Sequence, residues 1–367
     1  MKGRRPRPLD DGDSGEVRVS GRYLKAKPIG TWLKLLEANN ATIRGMRMVM
    51  NCNGHEIRNA ANSLLQGALV AFPTETVYGL GADACNENAV AKIYKVKGRP
   101  SNHPLIVHIS SINLLNSWVG NIPKYAFRLA EAFWPGPLTL ILPSAQPKRD
   151  YLTGGQKNIG IRVPSHPLAL SLLKEFESKG GLGIAAPSAN KFGSVSPTTA
   201  EAVEIEIGKD LSELDLILDG GKSSVGIEST IISCMQAVPN ILRPGGITQE
   251  MVELVLGTQV SYLNSFNMNK VRTPGLMDSH YSPKARIFLE GQPTKGDGLI
   301  ALASITTPEG VIRLASPRDN KEYASQLYSA FRSADQRNIE SIYVIPPTGH
   351  DIAVGINDRL KRAAKNK

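Results

Sequence analysis

Polar and apolar residues alternate along this chain with two different periods. Between 88 and 97, the apolar positions Ala89, Val90, Ile93 and Tyr94 form the three-to-four-residue stripe of an amphipathic helix. Gly98 and Pro100 end it. The same period predicts helices over 55–66, 122–133, 167–178, 198–207 and 248–256. Short apolar or alternating runs predict strands over 68–72, 104–109, 138–142, 159–163, 183–186, 214–218, 229–233 and 240–243. Strands outnumber helices and their spacing is irregular, which implies an α/β or α+β fold with a mixed sheet and not a regular βαβ repeat. Residues 264–285 show no sustained periodicity and carry Asn, Pro and Gly, so they read as a linker. Beyond it, strands over 286–290, 298–303, 311–315 and 341–345 are interleaved with helices over 319–334 and 353–365. That is the pattern of a small Rossmann-like three-layer unit. It has no GxGxxG, so nothing in it points to a dinucleotide.

The first 50 residues differ in kind. MKGRRPRPLDDGDSGE is polar, charged and rich in Pro and Gly, and it cannot bury enough surface to offset the cost of ordering. It has no apolar core of a secretory signal, and its acids argue against an organellar transit peptide. The patch Trp32-Leu33 with Leu35-Leu36 could form one amphipathic turn. Met46, Met48 and Met50 stand just before the first fold-like segment, so an internal start is an alternative reading. The expected organisation is a poorly ordered extension over 1–50, a larger domain over 51–263, the linker over 264–285 and a small domain over 286–367.

Charge sharpens this division. The chain has 367 residues, with 43 Lys and Arg against 33 Asp and Glu, a formal net charge of +10. Residues 1–50 hold 11 bases and 5 acids, and residues 358–367 hold 5 bases and 1 acid, which leaves 27 of each sign between them. The excess belongs to the ends. No apolar run approaches the ~20 residues that span a bilayer. Cys52, Cys85 and Cys234 are odd in number, far apart and never paired as CxxC. A soluble protein of a reducing cytoplasm is expected, without a disulfide framework or zinc ribbon.

Several familiar motifs fail. Gly221-Lys222-Ser223 resembles the end of a P-loop, but the required first glycine falls on Leu216. GxSxG is absent. His103 and His108, five apart along a strand, point to opposite faces and do not suggest a shared metal. Others remain, each with two readings. PTETVYGLG (73–81) reads as a loop by its Pro and Gly content; its two threonines, carboxylate and tyrosine can bind a small polar ligand, or its hydroxyls can satisfy their own turn. In KVKGRPSNHPLIVHI (95–109), Lys95, Lys97 and Arg99 suit a helix C-terminus and equally an anion, and His108 shares its strand face with Ile106. In GIAAPSANKFGSVSPTTAE (183–201), Ser196 before Pro197 is a helix N-cap and Thr198 with Glu201 a capping box in the next register. The same helix N-terminus could hold a phosphate. GIEST (226–230) leads a strand, and LRPGG (242–246) ends one. Arg99, Arg162 in GIRVP and Arg243 lie in short β-patterned runs, so each needs a partner, and a ligand with several negative charges would serve all three.

Taken together, PTETVYGLGAD, KGRPSNHPLIVHI, WPGPLTLIL, IGIRVPSHP, APSAN, SPT, GIEST and LRPG stand in the order found in the YrdC/TsaC family of threonylcarbamoyl-AMP synthases. SHYSP and a small α/β domain ending in INDRLKRAA resemble the longer, two-domain branch of that family. The resemblance covers residues 54–367. It implies a twisted mixed-sheet domain with a concave basic site, joined to the small Rossmann-like domain. It implies synthesis of L-threonylcarbamoyl adenylate and pyrophosphate from L-threonine, bicarbonate or CO2, and ATP with Mg2+, and no organic cofactor. Downstream transferase proteins would move the threonylcarbamoyl group to the adenosine beside the anticodon of tRNAs, with weak binding of tRNA by this chain as an added expectation. Carried over by motif, Thr76, His108, Arg162, Ala186 and Ser229 would line the threonine side. Arg99, His103, Asn158, Ser188, Ser196 and Arg243 would line the ATP side, with Lys97 beside them, and Tyr281 would belong to a lid. Lys97, Arg99 and Arg162 would carry the charge of catalysis. No metal ligand can be named. One departure is that Asp278 stands where the family often has tyrosine.

Two rival functions fit the same domain. A carbamoyltransferase of hydrogenase maturation would want an acylphosphatase-like domain and cysteine-rich zinc motifs, which three scattered cysteines do not supply. A non-catalytic RNA-binding module would use the concave basic surface and bind RNA in a salt-sensitive way.

Overall fold

The computed structural model describes residues 17–19, 22–24, 50–51, 53–145, 149–262 and 281–365. The apolar patch at 32–36, most of the expected extension, Asp278 and the linker before Tyr281 lie outside them. The chain divides into a unit of residues 1–47 and a unit of residues 48–367. In the first, β1 (Val17–Val19) and β2 (Arg22–Leu24) pair antiparallel, with Arg18 opposite Tyr23. The polar pattern had not predicted that pair.

In the second unit, an eleven-stranded mixed sheet is described. Its strands in chain order are β3 (Met50–Asn51), β4 (Val70–Phe72), β5 (Gly79–Asp83), β6 (Ile106–His108), β7 (Leu138–Pro143), β8 (Asn158–Arg162), β9 (Ile184–Ala185), β10 (Leu216–Asp219), β11 (Thr230–Ser233), β12 (Asn240–Arg243) and β13 (Ser261–Tyr262). In space the order is β13-β12-β11-β7-β8-β6-β9-β5-β4-β10-β3. The pairs β4–β5, β5–β9, β6–β9, β7–β8 and β11–β12 are antiparallel, and the rest are parallel.

The helices start and stop for local reasons. In α1 (Gly54–Leu65), Asn53 caps the first turn while Glu56 returns a bond to the Asn53 N–H, a reciprocal box. In α2 (Glu87–Lys97), Asn86 caps the start, and Gly98 ends it in the left-handed conformation at φ 62°. There follow α3 (Lys124–Phe133), the short α4 (Asp150–Thr153), α5 (Pro167–Ser178), α6 (Ala200–Ile207) and α7 (Gln249–Leu256). Strand alternation distributes them over both faces of the sheet. Leu69 and Ala71 join a core with Val90 and Ile93 of α2, Leu129 of α3 and Val203 of α6. Val70 and Phe72 join a separate core with Leu64 of α1 and Leu172 and Phe176 of α5.

Two local expectations change. The end of the expected 73–81 loop instead enters a central strand, Gly79–Asp83. A Cβ on Gly81 would stand 2.8 Å from both Ile184 and Phe72, so the glycine is what lets three strands pack there. The expected cap at Ser196 moves to Thr199, whose side chain accepts from the Ala202 N–H. The Pro197 and Thr198 carbonyls accept instead from the N–H groups of Tyr78 and Ser223, holding that stretch out of the helix.

The small domain carries a parallel sheet ordered β14 (Arg286–Phe288), β17 (Ser341–Val344), β15 (Gly298–Ile300), β16 (Ile312–Ala315). Its helices, α8 (Asn320–Gln336) and α9 (Ala353–Ala364), touch each other and cover this sheet. Their outer sides meet the larger domain. The third layer beside this helix pair is therefore the larger domain. A single core runs through the junction, joining Val77, Val195 and Ile227 of the larger domain to Tyr323, Leu327, Ile342 and Leu360 of the smaller. No helix among the described residues is long and apolar enough to cross a membrane.

Candidate active site

The register of two parallel strands starts the site. β6 and β8 place His108 opposite Arg162 at their ends, so both side chains project from the same face. β4 ends beside them in the Pro73–Val77 turn. There the Thr74 hydroxyl donates to the Val77 carbonyl at 2.6 Å and accepts from the Val77 N–H at 3.2 Å. Thr74 thus satisfies the turn, while the Thr76 hydroxyl stands 2.8 Å from it at the edge of an open cleft. The turn reading of this motif holds for Thr74, while Thr76 lines the cleft. Tyr78 turns away, donating to the Gly221 carbonyl at 2.8 Å.

The cleft is lined by Thr74, Thr76, Val77, Gly79, Arg99, Ile106, His108, Arg162, Ala186, Pro187, Ser188, Glu228, Ser229, Arg243 and Tyr281. It brings together nine of the thirteen residues singled out from the sequence: Thr76, Arg99, His108, Arg162, Ala186, Ser188, Ser229, Arg243 and Tyr281. Lys97, His103, Asn158 and Ser196 are not in the lining. Lys97 is buried, and its ammonium donates to the carbonyls of Ser188 and Asn190 at 2.6 and 2.5 Å. It fixes the backbone behind Ser188. His103 packs edge-on against Phe192, over which Arg99 also lies, at 5.3 and 5.8 Å between centres. Asn158 begins the strand that Arg162 ends, ~13 Å away along β8 at ~3.3 Å per residue. The Ser196 hydroxyl donates to Glu228 at 2.6 Å.

Three guanidinium groups share the cleft, and each is buried. Arg162 donates to Glu75 at 2.7 Å, and the other Glu75 oxygen accepts the Ser165 N–H at 3.0 Å. Arg99 donates to the Pro104 carbonyl at 2.8 Å. Arg243 donates to the Ser229 carbonyl at 2.9 and 3.1 Å and to its hydroxyl at 3.2 Å. The Ser229 hydroxyl is also 2.8 Å from that of Thr139. Burial, with Arg243 nearby, lowers Arg99 to about 10. Burial, then the neighbouring charge of Arg99, takes Lys97 well below its ordinary value. Burial, then Arg162, takes His108 down to about 3, so its imidazole is neutral at physiological pH. Arg99 Nε, Arg162 Nε and His108 Nδ1 are buried without a hydrogen-bond partner among the described residues. Buried polar atoms of this kind at a cleft wall are the groups a polar ligand could satisfy.

Sequence reasoning counted Glu75 only as a carboxylate able to bind a ligand, and passed over Glu228 in this site and Tyr328 and Arg359 behind it. Glu75 and Glu228 stand within quoted motifs, and Arg359 within INDRLKRAA, so the signal was present without a geometry to give it meaning. Among the described residues no cluster of three His, Cys, Asp or Glu side chains could hold a metal.

A mixed α/β domain with an arginine-lined cleft, packed against a small α/β domain, defines a protein of two packed α/β domains. The family described as telomere recombination (Sua5, YciO and YrdC) matches residues 62–245, and the threonylcarbamoyl-AMP synthase C-terminal domain matches residues 247–365. A threonylcarbamoyl-AMP synthase of Bacillus subtilis is 42% identical over 86% of this chain and 94% of its own length. One of Pyrococcus abyssi is 36% identical over 84% and 94%. The crystal structure of Pyrococcus abyssi Sua5 complexed with L-threonine matches with a TM-score of 0.78 and 34% identity, covering 87% of this chain and 98% of that one. The chain belongs to the Sua5/YciO/YrdC family, in its two-domain threonylcarbamoyl-AMP synthase form.

Proposed function

We propose that this protein is an L-threonylcarbamoyladenylate synthase acting in the cytoplasm. The observation that carries the reading is the cleft itself: Arg99, Arg162 and Arg243 around the hydroxyls of Thr76 and Ser229, in a chain that matches such synthases over nearly their full length. The amine of threonine attacks bicarbonate, with loss of water, or attacks CO2 directly. The resulting carbamate oxygen attacks the α-phosphorus of ATP, and pyrophosphate leaves. No protein nucleophile is needed, so positioning and charge neutralisation carry the catalysis.

Thr76, His108, Arg162, Ala186 and Ser229 would hold threonine. Arg162, oriented by Glu75, offers its remaining donors to the carboxylate in a planar fork. Neutral His108 can donate or accept one hydrogen bond without adding charge. Arg99, Ser188, Arg243 and Tyr281 would hold ATP, while Lys97 and Ser196 work from behind, through the Ser188 carbonyl and the Glu228 carboxylate. Magnesium would enter as part of the substrate, carried on the polyphosphate, which suits an ion that keeps several waters and few protein ligands. The adenylate would pass to transferase proteins that modify tRNA beside the anticodon.

The test is direct. Purified protein with ATP, L-threonine, bicarbonate and Mg2+ should yield the adenylate by mass spectrometry, with threonine-dependent pyrophosphate. Absence of both products overturns the reading.

A further inference from the structure

Glu228 presents a difficulty for any polyphosphate site: it is a buried carboxylate in the cleft wall, next to Ser229 in sequence. Its charge is satisfied from behind. One oxygen accepts the Ser196 hydroxyl at 2.6 Å. The other accepts the Tyr328 hydroxyl at 2.9 Å and Arg359 Nε at 3.0 Å. Tyr328 and Arg359 come from α8 and α9 of the small domain. Burial alone would raise the Glu228 carboxyl, but Arg359 and Arg243 outweigh it and hold the group ionised below its ordinary value.

Arg359 does more than neutralise. Its side chain is completely buried. Its guanidinium donates to the Pro244 carbonyl at 2.7 Å and the Glu228 carbonyl at 3.3 Å, and it also pairs with Asp358 at 2.9 Å. The Tyr281 ring lies over it at 5.5 Å and stacks on Tyr328 at 5.9 Å. One guanidinium thus holds the backbone just before Ser229, the backbone just after Arg243, and the ring of Tyr281. All three residues line the cleft, Arg243 and Tyr281 among those proposed to hold ATP.

We propose that Arg359 is a positioning residue for the nucleotide end of the site. The small domain supplies it to cancel Glu228, so that the charge of Arg243 faces the ligand, and to set Arg243 and Tyr281 in register. This inference rests on the synthase reading. If the wild-type protein makes no adenylate, that reading fails; if only the variants below behave otherwise than stated, this one fails.

The readout is a split between the two substrates in steady-state synthesis by the full chain. Arg359→Met keeps the volume of the side chain and removes its charge. It should raise the KM for ATP about tenfold, the scale of one lost charge-assisted contact, while the KM for threonine stays within about twofold. Adding Glu228→Gln to Arg359→Met should recover most of that loss, because the uncompensated carboxylate is gone. Tyr328→Phe, a change of one hydroxyl, should raise the ATP KM about threefold, again without touching threonine. It keeps the test alive if Arg359→Met fails to fold. An ATP KM within about twofold of wild type in both Arg359→Met and Tyr328→Phe would overturn the proposal. So would equal rises for both substrates with no recovery from Glu228→Gln, the behaviour of a contact that only glues the domains together.

Discussion

The two ends of the cleft are built differently. Around Thr76, His108 and Arg162 everything comes from the larger domain: two paired strand ends, a turn organised by Thr74, and Glu75 as an internal counter-charge. Around Arg243 and Tyr281 the support crosses the domain junction to Tyr328 and Arg359. The first end is shaped by sheet register, which a side chain elsewhere can hardly disturb. The second depends on a docked neighbour. A substrate seated at the first end should therefore meet a preformed surface, whereas one seated at the second end senses whether the small domain is in place.

The largest effect should come from the arginines of the dependent end. Arg243→Ala and Arg99→Ala should each lower kcat/KM about 100- to 1,000-fold, the usual scale for removing a preorganised donor to developing charge. Circular dichroism should show both proteins folded. Near-normal rates in both would mean that the nucleotide sits elsewhere. At the preformed end, Thr76→Val should raise the KM for threonine about tenfold and leave that for ATP unchanged, as expected when one hydroxyl partner is lost from a polar site. An equal effect on both substrates would break the division between the ends.

The smallest effect concerns stability and pH. His108 is held to about 3 in the folded protein against an ordinary value of 6.5, so between these pH values the unfolded chain binds more protons. Its contribution to stability is complete above 6.5 and is lost as pH falls through this window, at up to about 1.4 kcal/mol per unit for one proton. Denaturant unfolding of His108→Asn should fall less steeply than wild type between pH 6.5 and 4. Parallel curves would show that the imidazole is not neutral in the folded state.

Much of this was legible in the sequence. The helices and all four strands of the small domain follow from period and breakers, and the eight ordered motifs together with SHYSP picked out nine residues that share one cleft. What stayed hidden depends on contacts distant in the chain. Gly81 reads as a loop residue until Phe72 and Ile184 press on it from neighbouring strands. Ser196 reads as a cap until the Pro197 and Thr198 carbonyls are taken by Tyr78 and Ser223. Lys97 reads as a ligand-facing cation, and only the fold shows it tied to two carbonyls. Arg359 follows Glu228 by 131 positions, and no local pattern announces such a pair.

The junction between the domains also bears on how such chains can be recombined. A Cβ on Gly226, which sits at φ 82°, would stand 2.4 Å from the Ser325 backbone. A Cβ on Gly355 would stand 2.9 Å from Ile227 and 3.2 Å from the Gly245 backbone. At Gly226 backbone lies on backbone, and at Gly355 backbone and the Ile227 side chain both press close. A chimera that takes its small domain from a relative must therefore inherit the glycines on both sides of the seam together. Linker length and sequence similarity alone would not make the graft fit.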